Sequence, residues 1–393
     1  MGMNFELSEE HRMLRDLVKK FVDDELMPLE KTILEREAAG QGAGLSKEEN
    51  KRLDNRAREL GLAGLDAPEE FDGFNMPVEA MVGVNEELGK TAIQYVFPPD
   101  SPNLRMLMLT ANDEQKEKYL GPYARGELTS AIAISEPGGG GDPASMRTRA
   151  VADGGDYVIN GRKIWISKGG TADFIILMAS TDPSKGARGI TAFLVDQGTK
   201  GWVPARRIPM LGGRYTWEIA IEDMRLSNKA VLGEVGNGYG PMQQRLSSRR
   251  VQMAAKCCGT VRRALDMMRE WVTQRKTFGA LLSDRQSIQW WIADAETRLH
   301  ACRLMTYNTA VKVDRGEMAR SECSMIKLYA TELAWDVLDK AMQAFGAMGM
   351  TKELPLHMMA NNIRVARVYE GPSEVHRMLI ARYALQGRNV QLS

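Results

Sequence analysis

The chain has 393 residues, of which 44% are hydrophobic and 26% charged, the balance of a globular protein of two or three domains and not of a disordered or fibrous one. With 52 Lys and Arg against 51 Asp and Glu the net charge is +1, so composition offers no electrostatic case for binding nucleic acid or an anionic membrane. Four cysteines without a CxxC pair exclude a disulfide framework and a zinc or dithiol site, and four histidines without ligand spacing predict no metal. No apolar run reaches the ~18 residues of a membrane span. The string MGMNFELSEEHRML, with Glu6, Glu9 and Glu10, lacks the pattern of a signal or transit peptide. A soluble, reducing, cytoplasmic setting is the expectation.

In chain order, residues 1–129 predict a helical domain. Ser8 is placed to cap a helix whose first turn holds Glu9 and Glu10, and Leu14, Leu17, Val18, Phe21 and Val22 repeat at helical spacing. Pro28 marks a break, GLAGLDAPEEFDGFNMP predicts a loop, and Val78–Leu88 predicts a further helix. FPPDSPN interrupts before Leu104–Leu109, and Asp113–Tyr119 is again helical. Residues 130–242 change period. Asp156–Ser167 alternates around Asn160-Gly161, a hairpin-turn signal. Phe174–Met178, Ile190–Val195 and Trp217–Ile221 predict short strands, hence an antiparallel β-barrel or sandwich domain. Residues 243–393 predict a helical bundle. The stripes Ala254, Cys258, Val261, Leu265, Met268, Val272; Ile292, Ala295, Leu299, Cys302; and Ile326, Ala330, Leu333, Val337, Ala341, Ala344 recur at spacings of three and four. The fold class is therefore α+β multidomain, with N-terminal helices, a central antiparallel β domain and a C-terminal four-helix bundle.

Five strings carry candidate chemistry. SEPGGGGDP (Ser135–Pro143) allows close backbone approach to a ligand, or is a flexible loop. It has neither the GK[ST] of a Walker loop nor the spacing of a dinucleotide fingerprint. In KIWISKGG (Lys163–Gly170) strand alternation sends Ile164 and Ile166 to the core, leaving Trp165 and Ser167 to stack on and bond a flat ligand or to cover a second small core. RKTFG (Arg275–Gly279) suits a phosphate or a helix cap, and FGAMGM (Phe345–Met350) ends a helix with two glycines. In RVYEGPSEVHR (Arg367–Arg377), Gly371 and Pro372 end one element and start another, so Glu370 projects into a cleft or into solvent.

EPGxG(x)DP, KxWIS, RKTFG, FG(x)xG and YEGxSE occur in this order within an α–β–α plan, and together resemble the acyl-CoA dehydrogenase family over essentially the whole chain. The resemblance implies FAD as cofactor, an acyl-CoA substrate dehydrogenated to the trans-2-enoyl-CoA, electron-transferring flavoprotein as acceptor, and a homodimer or homotetramer. It makes Glu370 the catalytic base. Some branches carry the base at the position of Arg249, and a guanidinium cannot serve. Ser135 and Gly138, Gly139 and Gly140 resemble the flavin-ring loop, and Trp165 and Ser167 the pair at the flavin edge. Arg275, Thr277, Phe278, Gln286, Gln343 and Gly346 resemble groups holding FAD across a dimer interface, with Pro372 and Glu374 at further cofactor positions. Gly141, Gly371, Arg250 and Arg382 fall at acyl-CoA positions.

Three departures stand out. Gly141 replaces a common Ser, Pro372 a frequent Thr, and Ser247 a substrate-contacting Asp. PPDSPN and EGPSEVHR lean toward the branch with dehydrogenases of 4-hydroxyacyl-CoA derivatives. The rival functions are an acyl-CoA oxidase or nitroalkane-oxidising flavoenzyme on the same scaffold, and a non-enzymatic CoA-binding protein.

Overall fold

A computed structural model describes residues 7–100 and 103–388. Glu6 of the N-terminal string, and Ser101 and Pro102 of FPPDSPN, lie outside them. The chain opens with helices α1 (Glu9–Phe21), α2 (Met27–Ala38), α3 (Lys47–Glu59), α4 (Val78–Leu88), α5 (Leu104–Thr110), α6 (Asp113–Gln115) and α7 (Gly121–Ala124). Strands β1 (Ser130–Ala133), β2 (Arg149–Asp153), β3 (Asp156–Ile166), β4 (Phe174–Ser180), β5 (Ile190–Asp196), β6 (Trp202–Pro209), β7 (Tyr215–Ser227) and β8 (Val231–Leu232) follow. The remainder is α8 (Tyr239–Val272), the hairpin β9 (Lys276–Thr277) and β10 (Ala280–Leu281), then α9 (Gln286–Asp314), α10 (Arg320–Phe345), α11 (Leu356–Ala366) and α12 (Ser373–Leu385). The helical, β, helical order is the predicted fold class.

The chain divides into two compact units. The first takes in α1, α2, α4, most of α8 and every later helix. As expected, the Ser8 hydroxyl accepts from the His11 N–H at 3.1 Å, and Leu14, Val18, Phe21 and Val22 are buried. Every member of the α8 and α10 stripes is buried. One stripe per helix is nevertheless too few. Val251, Met253, Ala255 and Cys257 are also buried on α8, and Cys323, Lys327, Thr331 and Ala334 on α10. Both helices are enclosed on several sides, which is what a small-residue and cysteine-rich helix does inside a bundle.

The second unit holds α5–α7 and an eight-stranded sheet in the order β6-β7-β3-β2-β4-β5-β8, with β1 beside β4. Pairing is antiparallel except for β1 and β2 against β4. Strand β4 is buried on both faces. Phe174, Ile176 and Met178 join Leu104, Tyr119 and Tyr123 in one core, and Ile175, Leu177 and Ala179 join Ile159, Phe193 and Ile219 in another.

The Asn160-Gly161 turn does not form. Strand β3 runs straight through it, and the β2–β3 hairpin turns at Gly154-Gly155. Asn160 instead marks an irregularity in the pairing with β7. Its side-chain Nδ2 donates to Asp223 Oδ1 at 3.0 Å, and its side-chain Oδ1 accepts from the Asp223 N–H at 2.8 Å. A Cβ on Gly161 would lie 2.5 Å from Thr148 Oγ1 and 2.7 Å from Thr148 Cα. The dipeptide that signals a turn is here spent on a bulge and a close strand crossing.

Candidate functional site

In the sheet unit, the glycine loop and the Trp165 segment are drawn together by the backbone. The Ile164 N–H donates to the Ser135 carbonyl at 2.9 Å. Glu136 and Gly139 exchange backbone bonds of 3.1 and 3.0 Å, closing a tight turn over Pro137 and Gly138. Beneath it lies an ion pair that the motifs contain but that sequence reasoning passed over. Glu136 accepts from Lys163 Nζ at 2.8 Å, from the Arg147 and Thr148 N–H groups at 2.6 and 2.9 Å, and from the Thr148 hydroxyl at 2.6 Å. Lys163 is fully buried and also donates to the Ile134 carbonyl at 3.0 Å. Burial pushes the Lys163 ammonium down to about 8, against the pull of Glu136. Burial pushes the Glu136 carboxyl up, but the Lys163 charge and the hydrogen bonds outweigh it and hold it below its ordinary value.

Lys163 was the available signal. Strict alternation puts it on the same face as Trp165, yet Lys163 is buried and Trp165 is 51% exposed. The pairing of β3 with β7 slips between Lys163 and Ile166, and Trp165 takes a left-handed φ of +64°. The bulge lifts the indole out of the sheet, while Ile164 and Ile166 are buried as expected. Ser167 lies exposed in the turn that follows β3. Gly138, Gly140 and Gly141 donate to no acceptor among the described residues, and Gly138 and Gly140 have open space where a Cβ would stand. An exposed indole beside open backbone donors fits a flat, polar-edged ring such as a flavin.

The helical unit carries Glu370. It joins α11 to α12 with a φ of +56°, a conformation uncommon for a residue with a side chain. Its carbonyl accepts from Nε and Nη2 of Arg250, each at 3.3 Å, and the Gly371 carbonyl accepts from Lys327 Nζ at 2.6 Å. Arg367 is bidentate to Glu332 at 3.1 and 2.8 Å, and Ser373 donates to the same carboxylate at 2.7 Å. The segment is thus bolted to α10 on both sides of Glu370. His376 is fully buried behind it, and burial with Arg250 and Lys327 pushes its imidazole down to about 3. Lys327 and Glu332 lie in no motif, and only the structure brings them to this loop; His376 stands near the end of the RVYEGPSEVHR string, whose letters do not show that it is buried. Glu374 is exposed in the first turn of α12 and Arg382 in its last.

The remaining predicted residues gather elsewhere in the helical unit. Phe278 and Gly279, at φ +48° and +79°, form the two-residue turn between β9 and β10. Arg285 donates to the Thr277 carbonyl at 2.6 Å just before Gln286 opens α9. Trp271 stacks on Phe345 at 4.9 Å and donates to the Ala344 carbonyl at 3.0 Å, tying the end of α8 to Gln343 and Gly346. The Arg275 guanidinium lies 5.9 Å from the Trp271 ring centre. Arg275, Phe278, Gln286, Gln343 and Gly346 are exposed. Trp165, Phe278 and Glu370 are three of the seven positive-φ non-glycine residues in the described chain, so backbone strain concentrates on predicted site positions. Among the described residues, no cluster of three or more His, Cys, Asp or Glu suits a metal, and no helix is long and apolar enough to cross a membrane.

Models of the N-terminal, middle and C-terminal domains of acyl-CoA dehydrogenase match residues 8–127, 131–224 and 236–385. The chain is 40% identical to (R)-benzylsuccinyl-CoA dehydrogenase of Thauera aromatica over 98% of its own length and 97% of that protein. It is 34% identical to a caffeyl-CoA reductase–Etf complex subunit of Acetobacterium woodii, over 96% and 99%. The solved FAD complex of PigA superposes with a TM-score of 0.86 at 27% identity, covering 98% of this chain and all of that one. The chain belongs to the acyl-CoA dehydrogenase family: it is an oxidoreductase acting on CH–CH bonds, with FAD as its cofactor.

Proposed function

We propose that the protein removes the α and β hydrogens of an acyl-CoA thioester to give the trans-2-enoyl-CoA, with Glu370 as the base. The observation that carries this is the turn at Glu370, held left-handed while two consecutive carbonyls are gripped by the buried cations Arg250 and Lys327. Such a backbone costs about 1–3 kcal/mol and persists only where its surroundings over-determine it. An α proton of a thioester is a poor acid, so its base must be held in contact and shielded from water. A carboxylate on a bolted turn satisfies the first need. The Glu370 carboxylate takes the α proton. FAD, when bound, supplies the acceptor for the β hydrogen and its electron pair. Ser135, Gly138–Gly140, Trp165 and Ser167 hold the flavin ring, and Arg275, Thr277, Phe278, Gln286, Gln343, Gly346, Pro372 and Glu374 the rest of the cofactor. Gly141, Gly371 and Arg382 face the acyl-CoA. Arg250, committed to the Glu370 carbonyl, serves the substrate by holding that loop.

Electrons then pass to electron-transferring flavoprotein, a reading supported by the relative named as part of an Etf complex. A homodimer or homotetramer follows from the exposed Arg275–Phe278 hairpin, if it serves a neighbouring subunit's FAD. The test is stopped-flow flavin bleaching under nitrogen, with the best substrate from a screen of acyl-CoA thioesters. Glu370→Gln should keep FAD and acyl-CoA bound while reduction falls ~10²–10⁴-fold. Glu374→Gln, on the exposed start of α12, should stay within about tenfold. Near wild-type reduction by the Glu370 variant would remove it as the base.

A further inference from the structure

We propose that Lys327 is a positioning residue for Glu370, its buried ammonium fixing the left-handed turn by holding the Gly371 carbonyl. The proposal rests on Glu370 being the base. Lysine is almost never fully buried unless paired with a charge. Lys327 is fully buried, and its hydrogen bond runs to a neutral carbonyl at 2.6 Å. Packing alone would be served by an apolar side chain at no desolvation cost. The ammonium instead supplies a charge-assisted bond to the residue that follows Glu370.

The surroundings make that bond directional. Gly371 has a φ of +97°, and a Cβ there would stand 3.0 Å from His376 Nε2 and 3.7 Å from Arg250 Nη2. The residue is therefore seated against α8, α10 and α12 at once. Arg250 from α8 holds the carbonyl before it, and Lys327 from α10 holds its own. Losing Lys327 frees one of two clamps and leaves Gly371 with the wide backbone range of a glycine.

The clamp is sensitive to pH. The groups facing Lys327 are Arg250 and Cys257 from α8, Glu332 on its own helix, Glu370 on the loop and His376 from α12. Burial draws the Lys327 ammonium down to about 8, with Arg250 and against the Glu370 and Glu332 carboxylates. The Cys257 thiol is pushed up to about 12 by burial and stays neutral, and His376 is neutral above about 3. Arg250 keeps its charge throughout. Above pH 8, then, Lys327 is the group behind the loop that loses its charge.

The experiment uses the FAD-loaded full chain and Lys327→Met, reading hydrogen exchange in the segment 367–376 alongside flavin reduction. The expected result is exchange at Ser373 and His376 faster by about tenfold or more, the worth of a lost charge-assisted bond. The limiting reduction rate should fall by about tenfold or more with acyl-CoA affinity nearly unchanged, because the loss is one of orientation. Wild type should also lose reduction rate as pH rises through about 8, and the variant should lack that limb. Unchanged exchange in the variant, or an alkaline limb that survives in it, overturns the proposal. If Glu370→Gln reduces flavin at near the wild-type rate, the assignment of Glu370 fails, and exchange alone still decides whether Lys327 holds the turn. If Lys327→Met does not fold, wild-type exchange at about pH 7 and about pH 9, corrected for the intrinsic rate, decides instead; equal protection refutes the clamp.

Discussion

Glu136→Gln is the sharpest test of what holds the glycine loop. Glu136 uses one oxygen for the Arg147 N–H and the other for the Thr148 N–H, the Thr148 hydroxyl and Lys163. An amide must turn its NH2 toward one of these groups of donors, so at least one N–H meets another N–H. Lys163, without solvent, is left with the Ile134 carbonyl and a neutral neighbour. Breaking a buried pair from one side costs about 3–5 kcal/mol, because the surviving charge stays buried and uncompensated. For a body of about 150–250 residues that lowers the melting midpoint by roughly 6–20 °C. Lys163→Met added to Glu136→Gln removes the stranded charge and should recover part of the loss, since the Arg147 and Thr148 amides still lack a full acceptor. Thermal and urea melts, with bound FAD read from the flavin spectrum, measure both effects. FAD occupancy should fall with stability, because the loop beside Trp165 loses its anchor. A Glu136→Gln protein melting within about 1 °C of wild type with full FAD would show that the pair does not anchor the loop.

Three other outcomes are expected. Gly161→Ala drives a methyl into the Thr148 backbone, at 2.7 Å from its Cα, and should cost about 1–3 kcal/mol; an unchanged urea midpoint would contradict the close crossing. His376 is held near 3 in the folded state against 6.5 ordinarily, so its contribution is complete above pH 6.5 and is lost as pH falls from there toward 3. The stability gap between wild type and His376→Asn should therefore narrow over that window, and parallel pH curves would refute a neutral buried imidazole. Arg275→Ala should lower FAD occupancy and loosen the oligomer together, as linked binding requires; a variant that keeps full FAD and its assembly in nanomolar sedimentation would exclude the cross-subunit role.

The helices and strands that were legible in the sequence, α8, α10, β4 and β5 among them, were so because their signals are local. A capping Ser8, an apolar period of 3.6 on α8 and α10, and apolar runs bounded by Gly and Asp act within a few residues. The candidate site was legible as five ordered strings, in which Glu370, Trp165 and the glycines stand in recognisable company. What those strings could not carry is direction and support. Asn160-Gly161 satisfies the rules of a turn, yet neighbouring backbone uses it as a bulge, since Asp223 lies 63 residues along the chain and Thr148 lies across the β2–β3 hairpin. Trp165 was expected on a regular strand and is exposed by a slip in register. The buried charges Lys163, Lys327 and Arg250 look like surface residues in a list of letters. Only the tertiary structure surrounds them, because a charge is tolerated inside a protein when distant backbone or side-chain oxygens converge on it, and that convergence is a property of three dimensions.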